Sequence, residues 1–483
     1  MLWSVRLHYL VLSNGMSFIR VSLWVLLLFC SSSFSSADGH SDFSRRSKLL
    51  VIAFDGLRPS SVKPDLMPNV YKFVESGVFA ERGMKPVMPS STTPNFYSIS
   101  TGLYPEYHGI VGNVFHDRAN HSLRYDYWDF YLNDTIRDWS RDENWYLDAG
   151  GTGIPIYFLN GGTTKAPRSR GYRTGCQFWT TCDRQSSRYR SPYYVQPLTY
   201  FGNLSSWMND FDKLFNKFED PNEPINLGMF YVTEPDEIQH HHSISGNVTN
   251  AKLKELDTLF GHIIGKINRS RLNGLRETLN VILLSDHGHA SVRLPDNLID
   301  LSQVIPIEEQ KTLFFRSAEW SFVAIDEYHA RPPEYWDALY DRLQTFRETS
   351  DGKFSVYYSN DVELKAFHWL LPQRTGQVLL IPDVGYKTVW NSSLEEFAAQ
   401  YGNEISIGEH GYTNEAPEMS ATFIAGGPAF KKSYRSAIED FYRVTRLATV
   451  SICFLPAVDE RKISYVFRLV LCCSLPSFGF CAA

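Results

Sequence analysis

Three long apolar runs along the chain each lead into a carboxylate. The runs are KLLVIAFD at residues 48–55, LGMFYVTEPD at residues 227–236 and LNVILLSDHGHA at residues 279–290. Apolar runs without polar alternation predict strands that are buried on both faces, as in a parallel sheet. Because ligands bind at the carboxyl ends of the strands in open α/β sheets, we expect Asp55, Asp236 and Asp286 to belong to one site.

Helical periodicity follows two of these runs. Between the second and third runs, one apolar face is formed by Leu253, Leu256, Phe260, Ile263 and Ile267. Their spacing predicts an amphipathic helix, and hence a β-α-β unit with a right-handed crossover. Residues 67–77 predict another helix, with Pro68 in its first turn and Gly77 at its C-terminal cap.

Later segments extend the same alternation of strands and helices. We predict strands at residues 353–359, 377–383 and 420–426, and a helix at residues 333–346. No internal repeat or low-complexity linker interrupts the sequence. The pattern predicts one doubly wound α/β domain over residues 48–443, with a mostly parallel central sheet and helices on both faces.

The composition excludes two classes of protein. With 43% apolar and 21% charged residues among 483, the chain is neither disordered nor fibrous and can bury a large core. Its formal net charge of -6 supplies no general positive field for a phosphate backbone. We therefore expect no nucleic-acid-binding module.

The N-terminus is typical of a secretory protein. The apolar run VSLWVLLLFC follows Arg20 and leads to small residues near Ala37, which predicts a cleaved signal peptide in residues 1–37. Met16 offers an alternative start. Six glycosylation sequons agree with secretion. They are Asn120, Asn133, Asn203, Asn247, Asn268 and Asn391.

Two cysteines lie inside the predicted domain, Cys176 and Cys182. In an oxidising compartment they are expected to close a small disulfide loop, and a metal or redox pair is the weaker alternative. The apolar C-terminal tail, residues 444–483, is interrupted by Arg468 and Pro476. A membrane anchor, a terminal helix and a cleaved lipid-anchor signal all stay open for this tail.

Thr92 is the candidate nucleophile. The stretch MPSSTTP places it where a helix begins near Pro94 and continues to about Gly102. Free amides and the helix dipole attract anions such as phosphate at this position. A simple N-cap threonine is the competing interpretation. A hydroxyl becomes a strong nucleophile when a metal ion binds and ionises it, so metal ligands elsewhere in the sequence decide whether Thr92 can react.

Acidic and histidine side chains supply these ligands. Asp236 and His240 are four residues apart, so one helical turn places both on one face, whereas His241 and His242 are expected to be solvated. Asp286 and His287 are adjacent at the end of a predicted strand.

Two further histidines are weaker candidates when each is taken alone. His289 is expected to lie in the loop or to support a ligand residue from outside. His410 is flanked by glycines that allow close approach of the backbone, although taken alone it reads as a loop histidine. The full ligand set suits zinc and requires two ions. It comprises Asp55, Asp236, Asp286, His240, His287 and His410.

At this point the sequence resembles the nucleotide pyrophosphatase/phosphodiesterases of the alkaline phosphatase superfamily. The resemblance runs in family order through AFDGLRP, TTPNFYSISTGLYPEYHGIVGN, EPDEIQH, LLSDHGH and GEHGY. It implies an alkaline-phosphatase-like fold and a two-zinc site. One ion is then held by Asp236, His240 and His410, and the other by Asp55, Asp286, His287 and Thr92. The resemblance further implies that Thr92 is the nucleophile and that Asn113 contacts a phosphate oxygen.

The resemblance also implies a small-molecule substrate, a nucleotide or another phosphodiester, and it indicates where the protein acts. Nucleotide-cleaving members hold the base between an aromatic residue after the nucleophile and a later tyrosine. Here Tyr200 matches the tyrosine, but Thr93 occupies the other position. The chain is similar to short members with a single catalytic domain, which implies the extracellular face of the plasma membrane or secretion.

We expect an extracellular zinc phosphodiesterase that cleaves nucleotides and releases a nucleoside 5'-monophosphate. A choline-phosphodiester or lysophospholipid phosphodiesterase on the same site is the alternative, followed by a non-catalytic cell-surface binding protein.

Overall fold

The structure is a computed structural model of the chain. It describes residues 47–118, 124–126, 154–165, 172–180, 182–183, 189–198, 202–270, 274–317, 322–327, 330–369, 371, 373–390 and 405–436. Outside these ranges lie the predicted signal peptide, the C-terminal tail, Tyr200 and the sequons at Asn120, Asn133 and Asn391.

Strands and helices alternate through the described residues. The strands are β1 (Lys48–Phe54), β2 (Val78–Ala80), β3 (Val114–His116), β4 (Arg124–Asp126), β5 (Thr174–Gln177), β6 (Tyr194–Gln196), β7 (Leu227–Val232), β8 (Leu279–Leu284), β9 (Ala290–Leu294), β10 (Leu298–Asp300), β11 (Leu313–Ser317), β12 (Val323–Glu327), β13 (Phe354–Tyr358), β14 (Val378–Pro382), β15 (Lys387–Val389), β16 (Ile405–Glu409), β17 (Phe423–Gly426) and β18 (Tyr434–Ser436). The helices are α1 (Pro68–Ser76), α2 (Thr92–Thr101), α3 (Pro105–His108), α4 (Ile156–Leu159), α5 (Leu204–Phe218), α6 (Asp236–His241), α7 (Asn247–Asn268), α8 (Leu275–Thr278), α9 (Ile307–Gln310) and α10 (Pro333–Thr349).

The central sheet has eight strands in the order β18-β2-β17-β8-β1-β7-β5-β6. β1 lies between β7 and β8 and pairs with both in parallel. β17 is antiparallel to its neighbours β2 and β8, whereas the other pairs are parallel. The carboxyl ends of β1, β7 and β8 therefore lie side by side at the same end of the sheet.

Both faces of the sheet are buried at β1, β7 and β8, which explains the unbroken apolar runs. Alternate residues of β1 enter two different cores: Leu49, Val51 and Ala53 enter one, and Leu50, Ile52 and Phe54 enter the other. Full burial of such a side chain contributes about 1.5–3 kcal/mol. The second core is covered by α1, α5 and α7, and the first by α2 and α4. The predicted doubly wound architecture is thus observed.

The predicted helices are found close to their expected bounds. All five residues of the apolar face predicted for α7 are buried. α1 begins at Pro68 and is followed by Gly77, as its start and stop signals predict. α10 extends three residues beyond the predicted helix.

A second, smaller sheet was not predicted as a separate layer. β11, β12, β14 and β13 form a four-stranded antiparallel sheet, which buries its own apolar cluster against α10. The strands predicted at residues 353–359 and 377–383 are therefore present as β13 and β14, but outside the central sheet. Periodicity predicts that a strand exists, whereas its partner is decided by tertiary packing.

The described residues contain no helix long and apolar enough to cross a membrane. Three sequon asparagines lie in this part of the chain, and Asn203, Asn247 and Asn268 are all exposed. Asn203 caps α5, where its side chain accepts a hydrogen bond from the Ser206 amide. Cys176 and Cys182 form the predicted disulfide.

Candidate active site

The three predicted carboxylates meet at one end of the central sheet. Asp55 follows β1 directly, Asp286 comes two residues after β8, and Asp236 begins α6 just beyond β7. All three are buried. Their backbones are linked as well, since the Asp236 amide donates to the Asp55 carbonyl oxygen over 3.1 Å. Parallel pairing of the three strands explains why residues far apart in sequence converge here.

Helix α6 brings Asp236 and His240 together as their four-residue spacing predicts. His240 Nε2 lies 3.4 Å from Asp236 Oδ2. The neighbouring His241 and His242 are exposed, in agreement with their predicted solvation.

His410 joins this group from the end of β16. Its Nδ1 lies 2.8 Å from the Ser90 carbonyl oxygen, and its Nε2 lies 3.5 Å from Asp236 Oδ1. Because a carbonyl oxygen only accepts, Nδ1 carries the proton and Nε2 keeps its lone pair. The ring stacks on His287 with centroids 3.7 Å apart.

Thr92 is the first residue of α2, and Ser91 is its N-cap. The simple N-cap interpretation of Thr92 therefore does not apply. Its Oγ1 lies 3.4 Å from His287 Nε2. The preceding loop is held by Asn95, which accepts from the Val87 amide and donates to carbonyl oxygens in the loop.

The second residue of α2 is tied to another predicted site residue. The Thr93 amide donates to Asn113 Oδ1 over 2.9 Å, which places Asn113 beside the start of α2. Thr93 is buried next to Thr92.

The spacing of donor atoms fits two metal positions. Two atoms bound to one tetrahedral zinc ion at about 2.0–2.1 Å lie about 3.3 Å apart. His240 and His410 meet this spacing to Asp236 at 3.4 and 3.5 Å. The compact group of potential ligands around Asp236, however, comprises His287, His289 and His410, so the predicted set of Asp236, His240 and His410 stays a prediction.

The second group is centred on His287. Its Nε2 lies 3.2 Å from Asp286 Oδ2, 3.5 Å from Asp55 Oδ1 and 3.4 Å from Thr92 Oγ1. These separations again suit ligands of one ion. Asp55, Asp286 and His287 also form a compact group of potential metal ligands by their mutual distances.

The hydrogen bonds of the cluster leave three potential ligand atoms available to bind a cation. Asp55 Oδ1, Asp286 Oδ2 and His410 Nε2 are buried without a hydrogen-bond partner among the described residues. Buried polar atoms are normally paired, so three such atoms within one cluster indicate a binding site for a cation. A mixed set of carboxylate oxygens and imidazole nitrogens fits zinc.

The electrostatics of the cluster also favour a cation. Burial, and then the carboxylates of Asp286 and Asp236, raise the pKa of Asp55 well above its ordinary value. Burial and the charge of Asp236 raise the pKa of Asp286 to about 7. Burial opposes ionisation of Asp236 too, but His240 and His289 hold its pKa well below the ordinary value. Divalent cations at this position would neutralise the accumulated negative charge.

Sequence reasoning missed two supporting features. Tyr231, in β7, donates from its hydroxyl to Asp55 Oδ2. A tyrosine inside a fully buried strand needs a partner for its hydroxyl, which is the signal that would have identified it. Lys387 and Glu409 form a buried ion pair, and Glu409 Oε2 lies 3.7 Å from His240 Nδ1.

Comparison with known proteins gives the family. A model of the type I phosphodiesterase/nucleotide pyrophosphatase family matches residues 49–413. The chain belongs to this family. It is therefore a hydrolase of the nucleotide pyrophosphatase/phosphodiesterase type, as the sequence motifs predicted.

Several relatives in the family have named activities. The bis(5'-adenosyl)-triphosphatase of Xenopus laevis is 28% identical over 80% of this chain and 74% of its own length. The human bis(5'-adenosyl)-triphosphatase is 29% identical over 87% of this chain and 82% of its own length. Ectonucleotide pyrophosphatase/phosphodiesterase family member 5 of Homo sapiens is 26% identical over 86% of this chain and 75% of its own length.

Solved structures confirm the fold. Human ectonucleotide pyrophosphatase/phosphodiesterase 5 superposes with a TM-score of 0.67 at 24% identity, covering 86% of this chain and 97% of the other. An inactive variant of the murine protein, in complex with AMP, gives a TM-score of 0.65 at 22% identity, with coverage of 81% and 91%. The predicted alkaline-phosphatase-like fold is confirmed by these likenesses.

Proposed function

We propose that the protein is an extracellular two-zinc phosphodiesterase that hydrolyses nucleotide phosphodiester or pyrophosphate bonds and releases a nucleoside 5'-monophosphate. One observation carries the proposal: the Thr92 hydroxyl, at the start of α2, lies 3.4 Å from His287 Nε2 beside a buried cluster of carboxylates. A hydroxyl, cation ligands and a helix N-terminus for the phosphate thus meet at one point.

The residues fit two zinc ions. Asp236, His240 and His410 would hold one ion, and a second group would hold the other. This second group comprises Asp55, Asp286, His287 and Thr92. Bound zinc would supply positive charge that favours the ionised Thr92 hydroxyl and stabilises negative oxygens around phosphorus.

The chain itself would position the nucleophile and the phosphate. Thr92 Oγ1 forms a bond to phosphorus while the bond to the leaving oxygen breaks, which gives a covalent phosphothreonine diester. Water then hydrolyses this ester and regenerates the hydroxyl. Although the Thr93 amide is already bound to Asn113 and Pro94 has no N–H, the partial positive charge at the start of α2 would attract the phosphate oxygens. The Asn113 amide, oriented by the Thr93 N–H, would donate to one of them.

The names of the relatives support nucleotides as the substrate class. Two of them are bis(5'-adenosyl)-triphosphatases, and a murine neighbour of similar fold has been solved with AMP. A nucleotide base would stack on Tyr200, and such stacking contributes about 1–3 kcal/mol per base. With Thr93 in place of a second aromatic ring, the pocket would hold the base on one side only.

We further propose that the protein acts outside the cell. The apolar N-terminal run, the Cys176–Cys182 disulfide and the exposed sequon asparagines all suit the secretory pathway. Attachment through residues 444–483 stays a prediction.

The test is hydrolysis by purified full-length protein of three substrates, with and without a zinc chelator. The substrates are diadenosine triphosphate, a nucleotide 5'-phosphodiester and a phosphocholine ester. We expect zinc-dependent release of AMP from the first, reduced at least about a thousandfold in Thr92→Ala and partly retained in Thr92→Ser.

The control variant is His241→Ala, which changes an exposed histidine outside the cluster and should keep full activity. Cleavage of the phosphocholine ester alone would move the assignment to lipid headgroups. No turnover of any substrate by the zinc-loaded protein would favour a binding protein and contradict the proposal.

A further inference from the structure

His289 has no part in the proposed ligand sets, yet it lies beside four of their members. Its ring is fully buried and contacts the rings of three ligand histidines, with centroids 5.2 Å from His240, 5.5 Å from His287 and 5.1 Å from His410. It also belongs to a compact group of potential metal ligands with Asp236, His287 and His410. Distances alone therefore admit two roles, that of a metal ligand and that of a hydrogen-bond donor to a ligand.

The distance to Asp236 separates these roles. His289 Nε2 lies 2.7 Å from Asp236 Oδ1. This is a hydrogen-bond distance, and it is shorter than the separation of about 3.3 Å between two atoms bound to one zinc ion. His240 and His410, in contrast, lie 3.4 and 3.5 Å from the same carboxylate. His289 is thus a donor, because a carboxylate oxygen only accepts.

Two glycines leave space for the His289 ring. A Cβ atom at Gly56, which has a φ of +65°, would lie 2.7 Å from His289 Nε2. A Cβ atom at Gly408 would lie 3.0 Å from His289 Nδ1. Glycine at both positions leaves room for the ring between the end of β1 and the strand that precedes His410.

Stability does not account for the ring. His289 Nδ1 is buried and has no hydrogen-bond partner among the described residues, which is unfavourable for stability. A histidine that leaves one nitrogen unsatisfied while the other contacts a site carboxylate indicates a role in the site.

We propose that His289 is a positioning residue, which fixes the Asp236 carboxylate for the ion held by Asp236, His240 and His410. Oδ1 has two lone pairs, so it accepts the His289 proton with one and faces the ion with the other. The Nε2–H donor prevents rotation of the carboxylate, and the geometry for that ion is set before it binds. This inference rests on the proposed two-zinc site.

The experiment measures zinc affinity at each of the two positions by chelator competition, in the full chain and without substrate. His289→Met removes the donor at similar volume. We expect it to weaken the affinity for one zinc ion by about 10–100-fold and to change the affinity for the other by less than about threefold. His289→Gln keeps an N–H donor on a side chain of similar reach, and it should recover most of the lost affinity.

Two further readouts separate positioning from other roles. The absorption spectrum of the Co²⁺-substituted protein should keep its band pattern in His289→Met, because the ligand set is unchanged. The melting temperature of the metal-free protein should shift equally in His289→Met and His289→Gln. His241→Met, at an exposed histidine, serves as the matched control.

Each outcome decides between the alternatives. His289 would be a metal ligand if both variants lost the affinity for one ion equally and severely and the Co²⁺ spectrum changed. This outcome would overturn the inference. Unchanged zinc affinity in both variants would make its role purely structural and also overturn it. If the unmodified protein bound no zinc, the proposed function would fail together with the inference. If the unmodified protein binds two zinc ions, either of the first two outcomes overturns the positioning role of His289 but not the proposed function.

Discussion

At the scale of single residues, each carboxylate of the site has one oxygen held by a donor of the protein. Tyr231 donates to Asp55 Oδ2, the Gly56 amide donates to Asp286 Oδ1 over 3.2 Å, and His289 contacts Asp236 Oδ1. The other oxygen of each carboxylate lies 3.2–3.5 Å from a ligand histidine, which is His287 for Asp55 and Asp286 and His240 for Asp236. Such outer contacts fix the orientation of ligands before a metal binds.

Tyr231 offers a direct test of this arrangement. Tyr231→Phe keeps the ring, which packs edge-on against Phe96, and removes only the hydroxyl that Asp55 accepts from. We expect zinc affinity at the Asp55 position to fall by about 10–100-fold, since the carboxylate loses its fixed orientation. Chelator competition measures the change. Tyr71→Phe, on α1, is the matched control, and an effect of equal size there would contradict the account.

At the scale of elements, the start of α2 is held by the loop that precedes it, and the second half of the helix is held by α3. Ser98 on α2 contacts His108 Nε2 at 2.9 Å, and the Ile110 amide donates to His108 Nδ1 over 3.1 Å. Nδ1 therefore accepts and Nε2 donates, which requires a neutral ring. Burial lowers the pKa of His108 to about 3.

This pKa predicts acid sensitivity of the nucleophile helix. A histidine with a pKa lowered by folding contributes stability that is fully present above its unfolded value of about 6.5 and is lost as the pH falls toward 3. In His108→Asn the side-chain oxygen replaces Nδ1 as the acceptor and does not titrate. We expect the unmodified protein to lose about 3 kcal/mol relative to this variant between pH 7 and pH 4. Urea unfolding of the metal-free proteins at both pH values measures the difference, and a constant difference would contradict the assignment.

The disulfide supports α2 from the other side. It closes the loop that carries Trp179, whose ring packs edge-on against Phe96 and whose Nε1 donates to Ser100 Oγ over 3.1 Å. Replacing both cysteines by serine should lower the free energy of unfolding by about 2 kcal/mol, because the unfolded chain regains the freedom of a short loop. Zinc affinity should stay the same. Loss of zinc binding in the folded variant would show that the loop shapes the site itself.

The elements show what the sequence could predict. β1, β7 and β8 were predicted because burial on both faces leaves an apolar run, and their parallel order places Asp55, Asp236 and Asp286 together. The pairing of β9 with β16, which brings His410 to the site, leaves no such mark in the sequence. Neither does the separation of β11–β14 into a second sheet. Strand partners are chosen by tertiary packing, which local periodicity does not record.

At the scale of the whole molecule, the site joins residues from 55 to 410 of the chain, so metal binding and folding are coupled. The facing carboxylates repel one another without a cation, as the raised pKa of Asp55 and Asp286 indicates. We expect zinc at one hundred times its dissociation constant to stabilise the protein by about 2.7 kcal/mol per site. Thermal unfolding with and without chelator measures this. An unchanged melting temperature would contradict the two-metal assignment.

The stereochemical course at phosphorus decides whether Thr92 is the nucleophile. A nucleoside 5'-phosphorothioate diester of one configuration would be hydrolysed in ¹⁸O-labelled water, and the configuration of the labelled product determined. We expect retention, because attack by Thr92 and then by water are two in-line displacements that each invert phosphorus. Inversion would show that water attacks directly, and it would contradict Thr92 as the nucleophile.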